Sequence, residues 1–203
     1  MANAALHEAE LGQAVRARRQ AEAALAPASG PVVRALAALS IARAGYAAQA
    51  RQLADALASD IPDNTILQNY WIPAIRAASE LAGKDGQKAV ELSRPAAAYE
   101  LGQSQFFSLG MIYPPYLRGQ AYLLMQKGNE AVAEFRKLTD HPGIVMNCPV
   151  GALVHLGLGR AYALQGDIAN ARSAYRAFLR LWKDVDPDIP IFRQAKAESA
   201  KLE

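Results

Sequence analysis

Two stretches of this chain carry the same residue types at the same intervals, forty positions apart. Gly119, Tyr122, Ala131 and Phe135 stand opposite Gly159, Tyr162, Ala171 and Tyr175, with every interval preserved. An internal repeat constrains the fold more than composition does, because one supersecondary unit must pack stably against copies of itself. Each copy reads as helix–turn–helix. The glycine lets two helices approach, the aromatic fills the gap beside it, and the alanine keeps the second helix near. Leu158 to Phe178, turning at Gly166, preserves the pattern best.

Part of the pattern extends to the rest of the chain. Gly12 and Ala17, and Gly45 and Ala50, keep the five-residue interval of Gly166 and Ala171. The reading is all-α, a single array over 1–203 with units at approximately 2–28, 31–62, 63–98, 113–140 and 149–183 and a capping helix over 188–202. Of 43 alanines, 22 precede position 61, which favours helices packed closely through small side chains. Stripes such as Ala14, Ala17, Ala21 and Ala24, or Leu67, Trp71, Ile75, Ala78 and Leu81, have helical spacing. Pro31 suits a first helical turn, Asp63-Asn64-Thr65 a helix cap, Pro73 an early position in its helix, and Pro95 a helix end. Residues 99–112, with Phe106 and Phe107, and residues 141–149 lack clear periodicity and read as long connections. In the last helix Phe192, Ala195, Ser199 and Leu202 form an apolar face, and Arg193, Gln194, Lys196, Glu198 and Lys201 cover the other, as the open end of a stacked array requires. Asp188 is its expected N-cap.

Residues with chemical potential do not cluster. His7, His141 and His155 fall in different units without metal-ligand spacing, and Cys148 is the only cysteine. Asp184, Asp186 and Asp188 alternate like the start of a calcium loop, but Ile189 and Ala195 stand where a glycine and a glutamate are needed. Gly157-Leu158-Gly159 lacks the third glycine of a dinucleotide fingerprint. The net charge of +3 is small, and Arg16, Arg18 and Arg19 read as a solvated helix face, so nucleic acid is not expected as a partner. No apolar run approaches the roughly 20 residues that span a bilayer. The expectation is no catalysis, cofactor or metal site, no membrane association within the chain, and a cytoplasmic location by default. A transmembrane segment in a longer parent would make it extracytoplasmic.

The intervals resemble the tetratricopeptide repeat, W-x2-L-G-x2-Y followed by A-x3-F and P. Leu158-Gly159, Tyr162, Ala171 and Tyr175 match, as do Gly119, Tyr122, Ala131 and Phe135. Arg118 replaces the usual leucine and His155 the usual tryptophan. Ala50 and Pro62 carry the second unit weakly, with Ala38 for glycine and Ile41 for tyrosine, and Ala89 carries the third. The phrases Asn69-Tyr70-Trp71-Ile72-Pro73, Tyr113-Pro114-Pro115-Tyr116, Asp140-His141-Pro142-Gly143-Ile144-Val145 and Trp182-Lys183-Asp184-Val185-Asp186-Pro187-Asp188-Ile189-Pro190 are similar to C-terminal repeat regions of large bacterial proteins. Many of those carry an N-terminal serine/threonine kinase domain, and some a winged-helix domain. Kinase motifs are absent from these residues.

The resemblance implies a right-handed α-solenoid of antiparallel helix pairs whose concave groove binds a protein or peptide. Carried onto this chain, Arg43, Trp71, Tyr116, Gln120, Leu156, Arg160 and Leu164 are the groove candidates, with core packing the alternative for Trp71 and Tyr116. Arg160 and Gln120 share a register, and an arginine there suits a partner's carboxylate or a C-terminal carboxylate. The function implied is a non-catalytic interaction module within a larger signalling protein. The alternative is a structural spacer or dimerisation arm, with a homodimer as its consequence.

Overall fold

The computed structural model describes residues 1–25, 30–102 and 111–202. Those residues are helical, with no strand among them. They form two compact units, which divide at Tyr99 and Glu100. Phe106 and Phe107 lie outside the described residues.

The first unit comprises α1 (Ala2–Glu10), α2 (Ala14–Ala24), α3 (Pro31–Arg43), α4 (Ala47–Asp60), α5 (Ile72–Ala82) and α6 (Gly86–Ser93). A π-helical turn, Leu67–Trp71, runs directly into α5, and a 3₁₀ segment, Arg94–Tyr99, follows α6. The second unit comprises α7 (Tyr113–Leu124), α8 (Gly128–Thr139), α9 (Pro142–Val145), α10 (Pro149–Leu164), α11 (Ile168–Leu181) and α12 (Pro190–Ala200). Within each unit a helix packs on its hairpin partner and on the next hairpin. Thus α1 meets α2 and α3, α3 meets α4 and α5, α8 meets α10, and α10 meets α7 and α11. A helix packed on several sides needs apolar or small residues around its circumference. Accordingly Ala35 through Ala42 of α3 are all buried, whereas α11 buries one stripe, Ala171, Ala174, Tyr175 and Phe178.

One turn recurs five times. Gly12, Gly45, Lys84, Gln126 and Gly166 all adopt left-handed backbone, with φ of 84°, 94°, 63°, 60° and 73°. The N–H of the following residue donates to the carbonyl five positions back in every case: Gln13 to Glu8, Tyr46 to Ile41, Asp85 to Glu80, Lys127 to Tyr122 and Asp167 to Tyr162, at 2.8–3.0 Å. This is the six-to-one bond that closes a helix C-terminus around a left-handed residue. Five residues beyond the left-handed position stand Ala17, Ala50, Ala89, Ala131 and Ala171, each no more than 1% exposed. Only a methyl group is accommodated there, because the incoming second helix lies directly against the first.

A second register shows compensation of size. Seven residues before the left-handed position come Ala5, Ala38, Ala77, Gly119 and Gly159; nine residues after it come Ala21, Ala54, Ser93, Phe135 and Tyr175. Where the first helix has glycine, the second has an aromatic ring. A Cβ on Gly119 would lie 2.5 Å from Phe135, and one on Gly159 would lie 2.8 Å from Tyr175. Phe135 is also faced by Gly157 of the next hairpin, at the same 2.5 Å from a built Cβ.

Pro73 holds the second position of α5, early in that helix as expected, while helical backbone runs back through the π-helical turn to Thr65. An unbroken α-helix would require an N–H from Pro73 and would drive its ring against the Asn69 carbonyl. The π-helical turn before it inserts the extra residue that avoids both. The stretch 141–149 is not simply a connection, since α9 occupies its centre. The N-cap of α12 is Ile189 rather than Asp188, whose own N–H donates to the Asp186 carboxylate at 2.9 Å.

Candidate functional site

The seven groove candidates take different places. Tyr116 and Leu156 are core residues, 3% and 1% exposed; the Tyr116 ring lies 6.3 Å from those of Tyr113 and Phe135. Trp71 is half-buried, edge-on to the Tyr70 ring at 5.0 Å. Gln120 is half-buried on α7. Arg43, at the end of α3, forms a two-pronged pair with Glu10 at the end of α1, its Nε and Nη2 donating at 2.7 and 2.9 Å. That pair bridges successive first helices and is a structural clasp.

Arg160 and Leu164, one turn apart on α10, are brought together. They line an open cleft of about 380 Å³ with Ala163 of the same helix, Leu123 and Gln126 at the end of α7, and Tyr175 of α11. Leu164 is 41% exposed, a branched aliphatic side chain left uncovered at the edge of the cleft. Gln126 reaches the rim because the left-handed turn reverses the chain there.

Arg160 is paired within the chain. Its Nε and Nη2 donate to the two oxygens of Glu198 on α12, at 2.8 and 3.0 Å, and both side chains keep about a quarter of their surface in solvent. The Tyr175 hydroxyl donates to the same carboxylate at 3.0 Å, and Gln194 Nε2 does so at 2.8 Å. Burial, reinforced by the Glu198 charge, pushes the Tyr175 phenol well above its ordinary range, so it stays a donor at physiological pH. Glu198 thus does not face solvent with the other polar residues of α12. Its helix is seated by Ile189, Phe192 and Ala195, all buried, and by the Leu202 carbonyl, which accepts from Arg172 Nε.

The sequence reading missed Tyr175 and Glu198 as members of this cluster. The signal for Glu198 was its position one turn past Ala195, at the margin of the apolar stripe. Tyr175 had none, because its ring fills the space beside Gly159 and only its hydroxyl emerges.

A second charged cluster lies inside the hairpin of α7 and α8. Arg118, where the repeat pattern has leucine, is 6% exposed and contacts Glu100 and Glu134; Lys137 Nζ lies 2.9 Å from Glu134. Burial alone would lower the Arg118 pKa, but the two carboxylates outweigh it and hold the guanidinium charged. Elsewhere Arg16 pairs with Glu8, and Arg18 pairs with Glu22 and lies over the Tyr46 ring, so these two patch cations face partners within the chain. His155 is half-buried, and burial together with Arg180 lowers its pKa, leaving it neutral at physiological pH.

Among the described residues no group of three His, Cys, Asp or Glu side chains is placed to hold a metal ion, and no helix is long and apolar enough to cross a membrane. The class that the geometry defines is a helical-repeat-like, all-α protein. Comparisons with family models, with curated proteins and with solved structures find no match.

Proposed function

We propose that the chain is a non-catalytic interaction module built of tetratricopeptide-like helix pairs, taking a peptide or segment of another protein on the surface of its first helices. The observation that carries this reading is the cleft on α10. There a cation, a phenolic hydroxyl and uncovered aliphatic side chains converge on one open surface. Such a mixture suits a peptide, whose backbone and side chains need both apolar contact and fixed polar partners. Within each unit the recurring turn supports the same reading, since repeated hairpins present successive first helices as one surface.

Selection of a random-peptide display library on the full chain tests it. Enriched sequences should lose binding to Leu164→Lys, a change at an exposed position that leaves the core intact. No enrichment above an unrelated control, or enrichment indifferent to that substitution, would sink the reading.

A further inference from the structure

We infer that the cleft at Arg160 and Tyr175 recognises an acidic segment of a partner protein, one carboxylate side chain beside a branched aliphatic one, and that Glu198 is the resident competitor such a segment displaces. The inference rests on the interaction-module reading and names the chemistry of the partner.

Glu198 shows what the site accepts. Its carboxylate takes two parallel N–H bonds from Arg160 and one hydroxyl bond from Tyr175, donors belonging to α10 and α11 rather than to α12. Those donors stay in place when the Glu198 side chain turns out to solvent with α12 still seated. The fourth donor, Gln194, belongs to α12 and stays with Glu198. One full positive charge with a neutral hydroxyl matches a monoanion, which favours a carboxylate over a phosphate dianion.

The resident pair is exchangeable. About a quarter of each side chain is in water, so a competing carboxylate can approach the pair from solvent. A partner carboxylate takes over the three bonds that Arg160 and Tyr175 donate, and the net affinity comes from the adjoining apolar surface. Leu123, Ala163 and Leu164 supply it, and α12 contributes no residue to the cleft lining. The apolar half of the site is therefore reachable before Glu198 moves, giving a partner a foothold from which to compete.

Fluorescence anisotropy of the full chain with a fluorescein-labelled octapeptide, a single glutamate between two leucines, tests this. Its glutamine counterpart is the control. Glu198→Gln should bind the glutamate peptide more tightly than the parent, by about fivefold or more, because the resident charge no longer competes for Arg160. The glutamine peptide should show no such gain. Arg160→Ala added to Glu198→Gln should abolish the gain, and Arg160→Lys should restore part of it, with circular dichroism melts confirming that every variant folds. Equal affinity for the parent and Glu198→Gln overturns the competitor role. Unchanged affinity without Arg160, or no binding by any variant, overturns the site. A display-selected peptide that depends on Leu164 but ignores Arg160 and Glu198 defeats this inference while the interaction-module reading stands.

Discussion

Replacing Gly119 by alanine tests whether ring size sets the spacing of the hairpins. The added Cβ would lie 2.5, 2.7 and 2.7 Å from three carbons of the Phe135 ring. Comfortable carbon–carbon separation is about 3.5–4.0 Å, so the ring must retreat by roughly 1 Å. It has nowhere to go, because its far edge meets Gly157 of α10, where a Cβ would lie 2.5 Å away. Overpacking of this kind costs about 1–3 kcal/mol, and the upper part of that range applies where backbone lies on both sides. Alanine recovers about 1 kcal/mol of helix propensity inside α7. The expected net loss is about 1–2 kcal/mol, read as a fall of roughly 0.5–1 M in the urea midpoint. Each unit holds one of the two tryptophans, so Trp71→Phe leaves Trp182, 4.8 Å from the Phe178 ring, as a reporter of the second unit. Adding Phe135→Leu should return most of the loss, with a coupling of about 1 kcal/mol or more between the two sites. Gly143→Ala, whose Cβ would meet nothing within 4 Å, is the neutral control. A Gly119→Ala protein that unfolds at or above the parent midpoint would refute the argument.

Two further predictions concern the turns and the buried charges. Lys84→Gly and Gln126→Gly should each raise stability by about 0.5–1 kcal/mol by relieving left-handed backbone at a side-chain-bearing residue, and Gly166→Ala should lower it by a similar amount, as thermal melts will report. Arg118→Leu restores the residue usual at that repeat position but leaves the near-buried Glu100 and Glu134 to Lys137 alone. It should cost about 2–3 kcal/mol in urea titrations, and adding Glu100→Gln and Glu134→Gln should return most of that.

The hairpin register was legible wherever a residue type reports a geometric demand by itself. Glycine at 12, 45 and 166 advertises left-handed backbone, and the alanine five residues on advertises close approach, so three turns were readable from one interval. Lys84 and Gln126 occupy the same turn without saying so, because there the closing hydrogen bonds impose the conformation against the residue's preference. The glycine–aromatic exchange was readable for the same reason as the turns, as it is local to one hairpin. In the first unit both sides of that exchange are small, Ala5 with Ala21 and Ala38 with Ala54, and a pair of alanines carries no signal in an alanine-rich chain.

The site was legible only in half. Arg160 and Leu164 lie one turn apart on one helix, a relation that periodicity exposes. Glu198 reaches Arg160 from 38 residues away, across a turn whose direction is set by Pro187 and Pro190 and by the Asp186 side chain holding the Asp188 N–H. A helical wheel places Glu198 on the margin of the apolar face of α12, and at a margin the choice between solvent and a neighbour's guanidinium belongs to the neighbour. The Arg43–Glu10 clasp makes the same point from the other unit. There, too, the arginine is satisfied by a glutamate on a neighbouring helix, but Glu10 is only 5% exposed. The two pairs share a geometry and differ in their access to water, and on the competitor role proposed for Glu198 that difference separates a clasp that stays shut from one that a partner's carboxylate opens.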